Sequence, residues 1–351
     1  MTATSRPLRL GTRRSRLATT QSEWVADLLR ARGHEVEIVT IVTEGDVNSA
    51  PLTQIGGTGV FASAIRQALH EGRVDFAVHS LKDLPVAPEP GLVIAGIPTR
   101  EDPRDALCAR DGLTLETLPA GARVGTGSPR RVAQLRVRRP DLDIVPLRGN
   151  VETRLRAVQE GDLDAILLAA AGLSRLDLRG PITQLLPTDV MLPAPGQGAL
   201  AVECPTDRSD VVAVLREIDD APTRAATHAE RALLAALEAG CTAPIGALAV
   251  RDGETGLHLQ AFAGTDTADL TFRDALSGSA QDPQALGEAL AQRLLDAGAH
   301  RLTGQASQRL APPSGSVPGA LRSDPTSAPT SAPSGAPTRA ATSEKIQECQ
   351  T

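Results

Sequence analysis

The chain contains few aromatic residues and almost no lysine. Its 351 residues include four Phe, one Trp and no Tyr, so the core must be aliphatic and no platform for stacking nucleic-acid bases is expected. Of the 36 basic residues, only Lys82 and Lys345 are lysine, and the rest are arginine. The formal net charge of −6 argues against general nucleic-acid binding, because no strongly basic region remains to neutralise phosphates.

Cysteine, histidine and long apolar runs are also scarce. The four cysteines (108, 204, 241 and 349) show no disulfide-framework spacing, and the six histidines show no metal-ligand spacing. Residues 1–9 lack an apolar signal core, and no run approaches the length of a membrane span. We therefore expect a soluble, cytoplasmic protein with no metal site and no membrane partner.

Short apolar runs alternate with helical periodicity along the chain, which predicts α/β construction with parallel strands. Two stretches resemble each other, since both leave a strand through Gly-Thr (11–12 and 125–126) and start a helix beside serine and arginine. This weak repeat predicts two similar lobes. Polar or proline-rich segments at 98–105 and 193–198 predict the crossings between them.

These patterns predict four parts of the chain. We expect a first α/β lobe over 1–99, to which 195–217 returns, and a second α/β lobe over 100–194. A smaller α+β domain is expected over 218–303. Residues 304–351 are rich in Pro, Ser, Ala and Thr and have hardly any large apolar residue, which predicts a disordered tail.

Lys82 and Asp83 are the first candidates for a functional site. They follow the apolar run 75–78, which predicts a buried strand, and Pro85 closes the stretch. Open α/β sheets bind ligands just beyond the carboxyl ends of their strands. A Lys-Asp pair in a turn can equally be a surface ion pair, and the position of this pair makes the two interpretations nearly equal.

Arginines stand beside predicted helix starts in three places. A helix N-terminus offers free N–H groups and the positive end of the dipole, and arginine forks bind carboxylate or phosphate. Several such starts predict a ligand with several anionic groups; the alternative is solvated helix surface in an arginine-rich chain. The three places are Ser128-Pro129-Arg130-Arg131, Arg148-Gly149-Asn150 with Arg154, and Arg13-Arg14-Ser15. Ser128 and Asn150 are the expected N-caps of their helices. Cys241 lies in a loop between a helix end and a strand, and its spacing alone indicates only a small buried residue.

Taken together, the ordered motifs resemble the porphobilinogen deaminase family, whose members are also called hydroxymethylbilane synthases. The resemblance covers about residues 7–300. It rests on Thr12-Arg13-x-Ser15-x-Leu17-Ala18, Val78-His79-Ser80-Leu81-Lys82-Asp83-Leu84-Pro85, Arg100-Glu-Asp-Pro-Arg-Asp105, Gly125-Thr-Gly-Ser-Pro-Arg-Arg131, Leu147-Arg-Gly-Asn150, Ala170-Ala-Gly-Leu173, Pro195-Gly-Gln-Gly198 and Gly240-Cys241-x-x-Pro244-Ile-Gly246.

The resemblance implies two lobes like those of periplasmic binding proteins and a third domain that carries a cofactor. It implies a transferase of tetrapyrrole (haem and porphyrin) biosynthesis that condenses four porphobilinogen molecules into linear hydroxymethylbilane with loss of ammonia. It also implies a monomer, primed by one dipyrromethane bound through a thioether to Cys241. Asp83 matches the catalytic aspartate, which hands a proton to the departing amine and stabilises the resulting cation.

The remaining site residues also follow from the resemblance. Those implied for the cofactor are Lys82, Asp83, Ser128, Arg130 and Arg131, and those implied for the substrate are Arg13, Ser15, Arg148, Arg154 and Arg175. Gln54 and Thr58 stand where many family members have lysine, which weakens the expected carboxylate binding by their loop. The competing hypothesis, a two-lobed receptor for a small carboxylate without catalysis, would need the lobes and arginines but neither Asp83 nor Cys241.

Overall fold

The computed structural model of the chain describes residues 6–42, 60–237 and 244–302, with the backbone alone at 60 and 61. The predictions for Cys241, for Gln54 and Thr58, and for the tail over 304–351 fall outside these ranges. The strands of the described ranges are β1 (Leu8–Thr12), β2 (Val36–Thr40), β3 (Phe76–Ser80), β4 (Leu92–Gly96), β5 (Asp105–Ala109), β6 (Arg123–Gly125), β7 (Asp143–Val145), β8 (Ala165–Ala169), β9 (Gln184–Leu185), β10 (Leu200–Pro205), β11 (Ile245–Asp252), β12 (Gly256–Gly264) and β13 (Thr271–Ser279). The α-helices there are α1 (Arg16–Arg30), α2 (Val60–His70), α3 (Pro129–Arg138), α4 (Val151–Gln159), α5 (Ala170–Arg175), α6 (Ser209–Arg216), α7 (Ala221–Ala236) and α8 (Pro283–Leu294).

Two five-stranded sheets share one topology. The first has the order β2-β1-β3-β10-β4 and the second the order β7-β6-β8-β5-β9. In each sheet the first three strands are parallel, and the fourth runs antiparallel to both of its neighbours. The predicted α/β class with two similar lobes is therefore confirmed.

The sheets are mixed, however: the predicted parallel arrangement holds for the first three strands of each order and not for the fourth. The antiparallel strand of each sheet, β5 or β10, is the first strand that the chain forms after crossing from the other lobe. A chain that arrives from the other lobe enters at the end where the parallel strands finish, so its first strand runs back against them. The first crossing is also shorter than predicted, because β5 already begins at Asp105.

Aliphatic side chains fill both lobes, as the composition predicts. In the first lobe, Leu10, Phe76 and Val202 are fully buried in a cluster that includes side chains of α1 and α6. The second lobe buries Leu107 and Leu167 on one face of its sheet and Ile166 on the other. A sheet covered on both faces explains why its strands read as continuous apolar runs.

A third, smaller α+β part follows the second lobe. Its antiparallel sheet, β11-β12-β13, packs on α7 and α8 through the buried side chains of Leu233, Leu259 and Leu290. The class of this domain is confirmed, although β13 was not predicted. Exposed and half-buried residues alternate irregularly along the edge strand β13, so its apolar pattern is weak. The residue bounds of the predicted domains stay a prediction. No helix within the described ranges is long and apolar enough to cross a membrane.

Candidate functional site

The candidate residues follow the carboxyl ends of parallel strands in both lobes. Arg13 and Ser15 come after β1, and Lys82 and Asp83 come directly after β3. The second lobe repeats this placement, with its candidates after β6, β7 and β8, namely Ser128, Arg130, Arg131, Arg148, Arg154 and Arg175. Since parallel strands end at one edge of a sheet, each lobe presents its candidates at one edge, as ligand sites of open α/β sheets require.

The Lys82–Asp83 turn is rigidly held. Leu81 to Asp83 form one turn of 3-10 helix, with Leu81 fully buried beneath it and Asp83 exposed. The backbone N–H of Leu81 donates to the carbonyl of Ala199 at 3.0 Å. From α7, the Arg231 guanidinium donates to the carbonyls of Leu81, Leu84 and Pro85 at 3.3, 3.0 and 2.6 Å. The third domain therefore contributes directly to the geometry of this turn.

Lys82 reaches from the first lobe toward the charges of the second. Its Nζ donates to Oε1 of Gln197 at 3.3 Å. Burial, aided by the nearby Arg131 and Arg130, lowers the pKa of Lys82 to about 8 against the opposing effects of Asp83 and Asp105. Because Arg130, Arg131 and Asp105 belong to the second lobe, Lys82 faces the cleft between the lobes rather than a solvated surface.

Arg130 and Arg131 share one buried carboxylate, that of Asp105. Arg130 Nη1 lies 2.7 Å from Oδ2, while Arg131 Nε and Nη2 lie 3.1 and 2.7 Å from Oδ1. Burial alone would raise the pKa of Asp105, but the charges and hydrogen bonds of the two arginines hold it well below its ordinary value. The sequence predicted that these arginines bind a ligand. In the structure, several of their N–H groups donate instead to acceptors within the protein.

Some donor capacity remains for an anion at this point. The Arg130 Nε is buried and has no hydrogen-bond partner among the described residues. Ser128 occupies the N-cap position of α3, as predicted, but its side chain makes no capping hydrogen bond. Asn150, in contrast, caps α4 by accepting from the Thr153 N–H at 2.8 Å, as predicted.

Arg154 adds a further positive charge beside this cluster. Its Nε donates to the carbonyl of Gly149 at 2.9 Å. Burial, then Arg131 and Arg148, lower the pKa of Arg154, while Asp83 of the first lobe raises it. Lys82, Asp83, Arg130, Arg131, Arg148 and Arg154 thus form one electrostatically coupled group, which we call the cleft cluster. Its crowded like charges would be relieved by an anionic ligand.

Three predicted site residues, Arg13, Ser15 and Arg175, are not part of the cleft cluster. Ser15 caps α1, with its hydroxyl accepting from the Ala18 N–H at 3.3 Å, and Arg13 is half-buried just before it. Arg175 donates to the carbonyl of Gly198 at 2.8 Å, and burial lowers its pKa to about 10. Arg175 lines a cavity of about 310 Å³ near the crossings, together with Trp24, Thr99, Arg100, Glu101 and Ser174.

The second crossing contains a functional candidate that sequence reasoning missed. Gln197 is 1% exposed, and its Nε2 donates to Pro103 O at 2.8 Å and to Asp105 Oδ1 at 2.9 Å. At Gly198, φ is +89° and a Cβ would lie 2.4 Å from the Glu101 carbonyl oxygen, so only glycine fits. A glutamine flanked by two glycines in a crossing is the signal that could have identified it.

A buried ion pair fastens both crossings to the third domain. Glu230 of α7 is fully buried and accepts from the Arg100 guanidinium at 2.6 and 3.0 Å. The same carboxylate accepts from the N–H groups of Gly196 at 2.7 Å and Ala249 at 2.9 Å. Arg100 Nε donates to the carbonyl of Gln197 at 2.8 Å. Both carboxylate oxygens therefore accept two hydrogen bonds each, which explains how the charge is tolerated in a fully buried position.

Among the described residues, no group of three or more His, Cys, Asp or Glu is placed to hold a metal ion. The buried thiols of Cys108 and Cys204 have pKa values raised to about 12 by burial, which leaves them protonated and unreactive at neutral pH.

Comparison with known sequences gives two family matches. The model described as "Porphobilinogen deaminase, dipyromethane cofactor binding domain" matches residues 8–213, and "Porphobilinogen deaminase, C-terminal domain" matches residues 225–296. Porphobilinogen deaminase 1 of Streptomyces coelicolor is 52% identical over 318 residues, covering 87% of this chain and 100% of that relative. Porphobilinogen deaminase of Thermobifida fusca is 53% identical over 314 residues, and the match covers 86% of this chain and 97% of that relative.

Solved structures give a more distant likeness. The periplasmic aliphatic sulphonate binding protein of Escherichia coli is 18% identical, with a TM-score of 0.36 over 66% of this chain and 70% of that chain.

Proposed function

The chain belongs to the porphobilinogen deaminase family, and on this premise we propose how its own residues carry out the reaction. The reaction joins four porphobilinogen molecules head to tail, releases ammonia at each step and ends with linear hydroxymethylbilane. It makes the chain a transferase of tetrapyrrole biosynthesis. The observation that carries the proposal is the cleft cluster, in which one exposed carboxylate, Asp83, faces a group of cations from the other lobe.

The donor set of the cleft cluster fits the dipyrromethane cofactor of this family. Each pyrrole ring of such a ligand carries two carboxylates, and a guanidinium binds a carboxylate through paired N–H groups. The buried, unpartnered Nε of Arg130 and the crowded charges of Arg131, Arg148 and Arg154 are what a polyanionic ligand would neutralise. When bound, dipyrromethane supplies the free pyrrole α-carbon to which each incoming ring is joined.

Asp83 is the proposed catalytic residue. Its carboxyl group transfers a proton to the substrate's departing amine, and the carboxylate then stabilises the positive charge left on the substrate ring. The 3-10 turn fixes its position, because Leu81 is buried and Arg231 binds three carbonyls around it. A preorganised charge of this kind needs little rearrangement as the cation forms.

The remaining residues bind and orient the carboxylates. The residues proposed to hold the cofactor come from both lobes: Lys82 from the first, and Ser128, Arg130 and Arg131 from the start of α3 in the second. The charge of Lys82 is coupled to both arginines. Substrate binding is assigned to Arg13, Ser15, Arg148, Arg154 and Arg175. Ser15, Arg154 and Arg175 already have partners within the protein, so their share in binding is expected to be smaller than that of the exposed Arg148.

Cys241 is the proposed attachment point, through a thioether. The two buried cysteines of the described ranges, Cys108 and Cys204, are unsuited to this role because their thiols stay protonated. Cys241 follows α7, the helix whose Arg231 binds the catalytic turn, which supports its delivery of a cofactor to that turn. We further propose that the protein acts as a cytoplasmic monomer.

The role of Asp83 is tested by measuring consumption of porphobilinogen by the Asp83→Ala variant. Loss of both proton transfer and charge stabilisation predicts a rate lower by roughly 10²–10⁴-fold. Asp207→Ala, which removes an exposed carboxylate from the turn after β10, is the matched control and should retain the wild-type rate. A wild-type chain that binds porphobilinogen without consuming it would favour the carboxylate receptor instead.

A further inference from the structure

Gln197 connects the two lobes through one side-chain amide. Its Oε1 accepts from Lys82 Nζ of the first lobe at 3.3 Å. Its Nε2 donates to Pro103 O and to Asp105 Oδ1, at the start of the second lobe's strand β5, at 2.8 and 2.9 Å. Because the side chain is almost fully buried, water cannot take the place of a lost partner. A buried donor or acceptor left without its hydrogen bond would therefore destabilise the fold.

The chemistry of the partners allows only one orientation of this amide. A rotated amide would point its N–H groups at the Lys82 ammonium, which is a donor only, and its oxygen at two acceptors. Gln197 is also held from its backbone, because its carbonyl accepts from Arg100 Nε at 2.8 Å and the adjacent Gly196 N–H is bound by Glu230. The amide therefore presents a fixed acceptor to the first lobe and fixed donors to the second.

From this geometry we propose that Gln197 is a positioning residue for the reaction: it holds the Lys82 ammonium in the cleft, keeps it protonated, and aligns it with the Asp105–Arg130–Arg131 unit. This role deepens the proposed function and rests on it. Gln197 itself touches none of the reacting atoms and acts through Lys82. The neutral amide of Gln197 lies between the Lys82 ammonium and the Asp105 carboxylate, which in turn binds the guanidinium groups of Arg130 and Arg131.

The need for such an acceptor follows from the groups around Lys82. Asp83 on its own turn and Asp105 across the cleft favour the ammonium, whereas Arg130 and Arg131 of α3 and burial disfavour it, and the result is a pKa of about 8. At that value a modest loss of stabilisation leaves Lys82 substantially neutral near pH 7.5. A neutral amine would no longer attract the carboxylates of a pyrrole ligand.

The unusual composition makes Lys82 directly measurable. Only Lys82 and Lys345 can be acetylated on a side-chain amine. The full-length holoprotein is trace-labelled with light acetic anhydride between pH 6 and 10, then denatured and fully labelled with the heavy reagent. The light-to-heavy ratio of the Lys82 peptide against the Lys345 peptide gives the pKa of Lys82 without any reliance on turnover.

Two substitutions of Gln197 should move that pKa in opposite directions. Gln197→Leu removes the acceptor, and we expect the pKa to fall by about one unit, the effect of one weak hydrogen bond to a charged group. Gln197→Glu also loses the donor to Pro103 and Asp105 and should lower stability, but its ionised carboxylate beside Lys82 Nζ should raise the pKa of Lys82. Because Lys82 must be protonated to bind carboxylates, the alkaline limb of the kcat/KM profile for porphobilinogen should shift with the measured pKa in each variant.

Gln134→Leu is the matched control, because Gln134 is also buried and hydrogen-bonded, but its partners are the backbone of Leu192, the Arg130 carbonyl and the Arg273 guanidinium rather than Lys82. It should lower stability while leaving the Lys82 pKa at its wild-type value. The proposal is overturned if Gln197→Leu leaves the Lys82 pKa unchanged, or if both Gln197 variants shift it in the same direction. Failure of the proposed function would differ, since wild-type protein would then consume no porphobilinogen whatever the pKa of Lys82.

Discussion

Replacing Asp105 with asparagine removes the charge on which the cleft arginines depend. The side chains have nearly the same shape, so no cavity forms, but Arg130 and Arg131 are left buried beside each other without a counter-ion. Losing one partner of a buried ion pair costs about 3–5 kcal/mol. Because this carboxylate is fully buried and serves two arginines and Gln197, we expect a loss of about 4–5 kcal/mol in the free energy of unfolding.

Urea denaturation at neutral pH measures this loss. Asp141→Asn makes the same chemical change in a surface pair with Arg139 and should cost far less, because solvent screens an exposed pair. The pH dependence supplies a second check. The pKa of Asp105 is depressed in the folded chain, so its contribution is present above the unfolded pKa of about 4 and is lost as the pH falls below it toward the folded pKa.

The difference in stability between wild type and Asp105→Asn should therefore be largest at neutral pH and shrink below about pH 4. A variant as stable as Asp141→Asn at neutral pH would refute the reasoning, because the two arginines would then not need this carboxylate.

Two further predictions concern the crossing and the thiols. Gly198→Ala places a Cβ 2.4 Å from a backbone oxygen at a φ of +89°. We expect it to lower the free energy of unfolding, measured in the same urea assay, by about 1–3 kcal/mol or more. Gly180→Ala, where a Cβ would meet nothing within 4 Å, should change stability by less than about 0.5 kcal/mol. Cys108 and Cys204, with thiol pKa values of about 12, should be alkylated by iodoacetamide at pH 8 only after denaturation, as peptide mass spectrometry would reveal. Their rapid labelling in the folded protein would contradict the burial described above.

The parts of the fold that depend on local pattern could be predicted from the sequence. Apolar runs such as 165–169 and the cap at Asn150 are local signals, and both correspond to observed elements. Strand direction is not local. That β5 and β10 run against their neighbours depends on where the chain crosses between lobes, and the apolar runs of buried parallel and antiparallel strands look alike.

The site residues also fall into those that local sequence could locate and those that it could not. Lys82 and Asp83 could be located because a strand exit and a proline frame them in sequence. The division of labour among the arginines could not be predicted, because Arg130 and Arg131 meet a carboxylate 25 and 26 residues away. Gln197 was missed for the same reason, since it lies 115 residues from Lys82 and 92 from Asp105.

The central claim is that a covalently held dipyrromethane at Cys241 works with Asp83 in the cleft. Intact-mass spectrometry of the purified protein tests it most directly. We predict a single adduct with the mass of one dipyrromethane, located by peptide mapping on Cys241, absent from Cys241→Ser and retained in Cys349→Ser. An unmodified chain that still turns over porphobilinogen, or an adduct on another residue, would contradict the account.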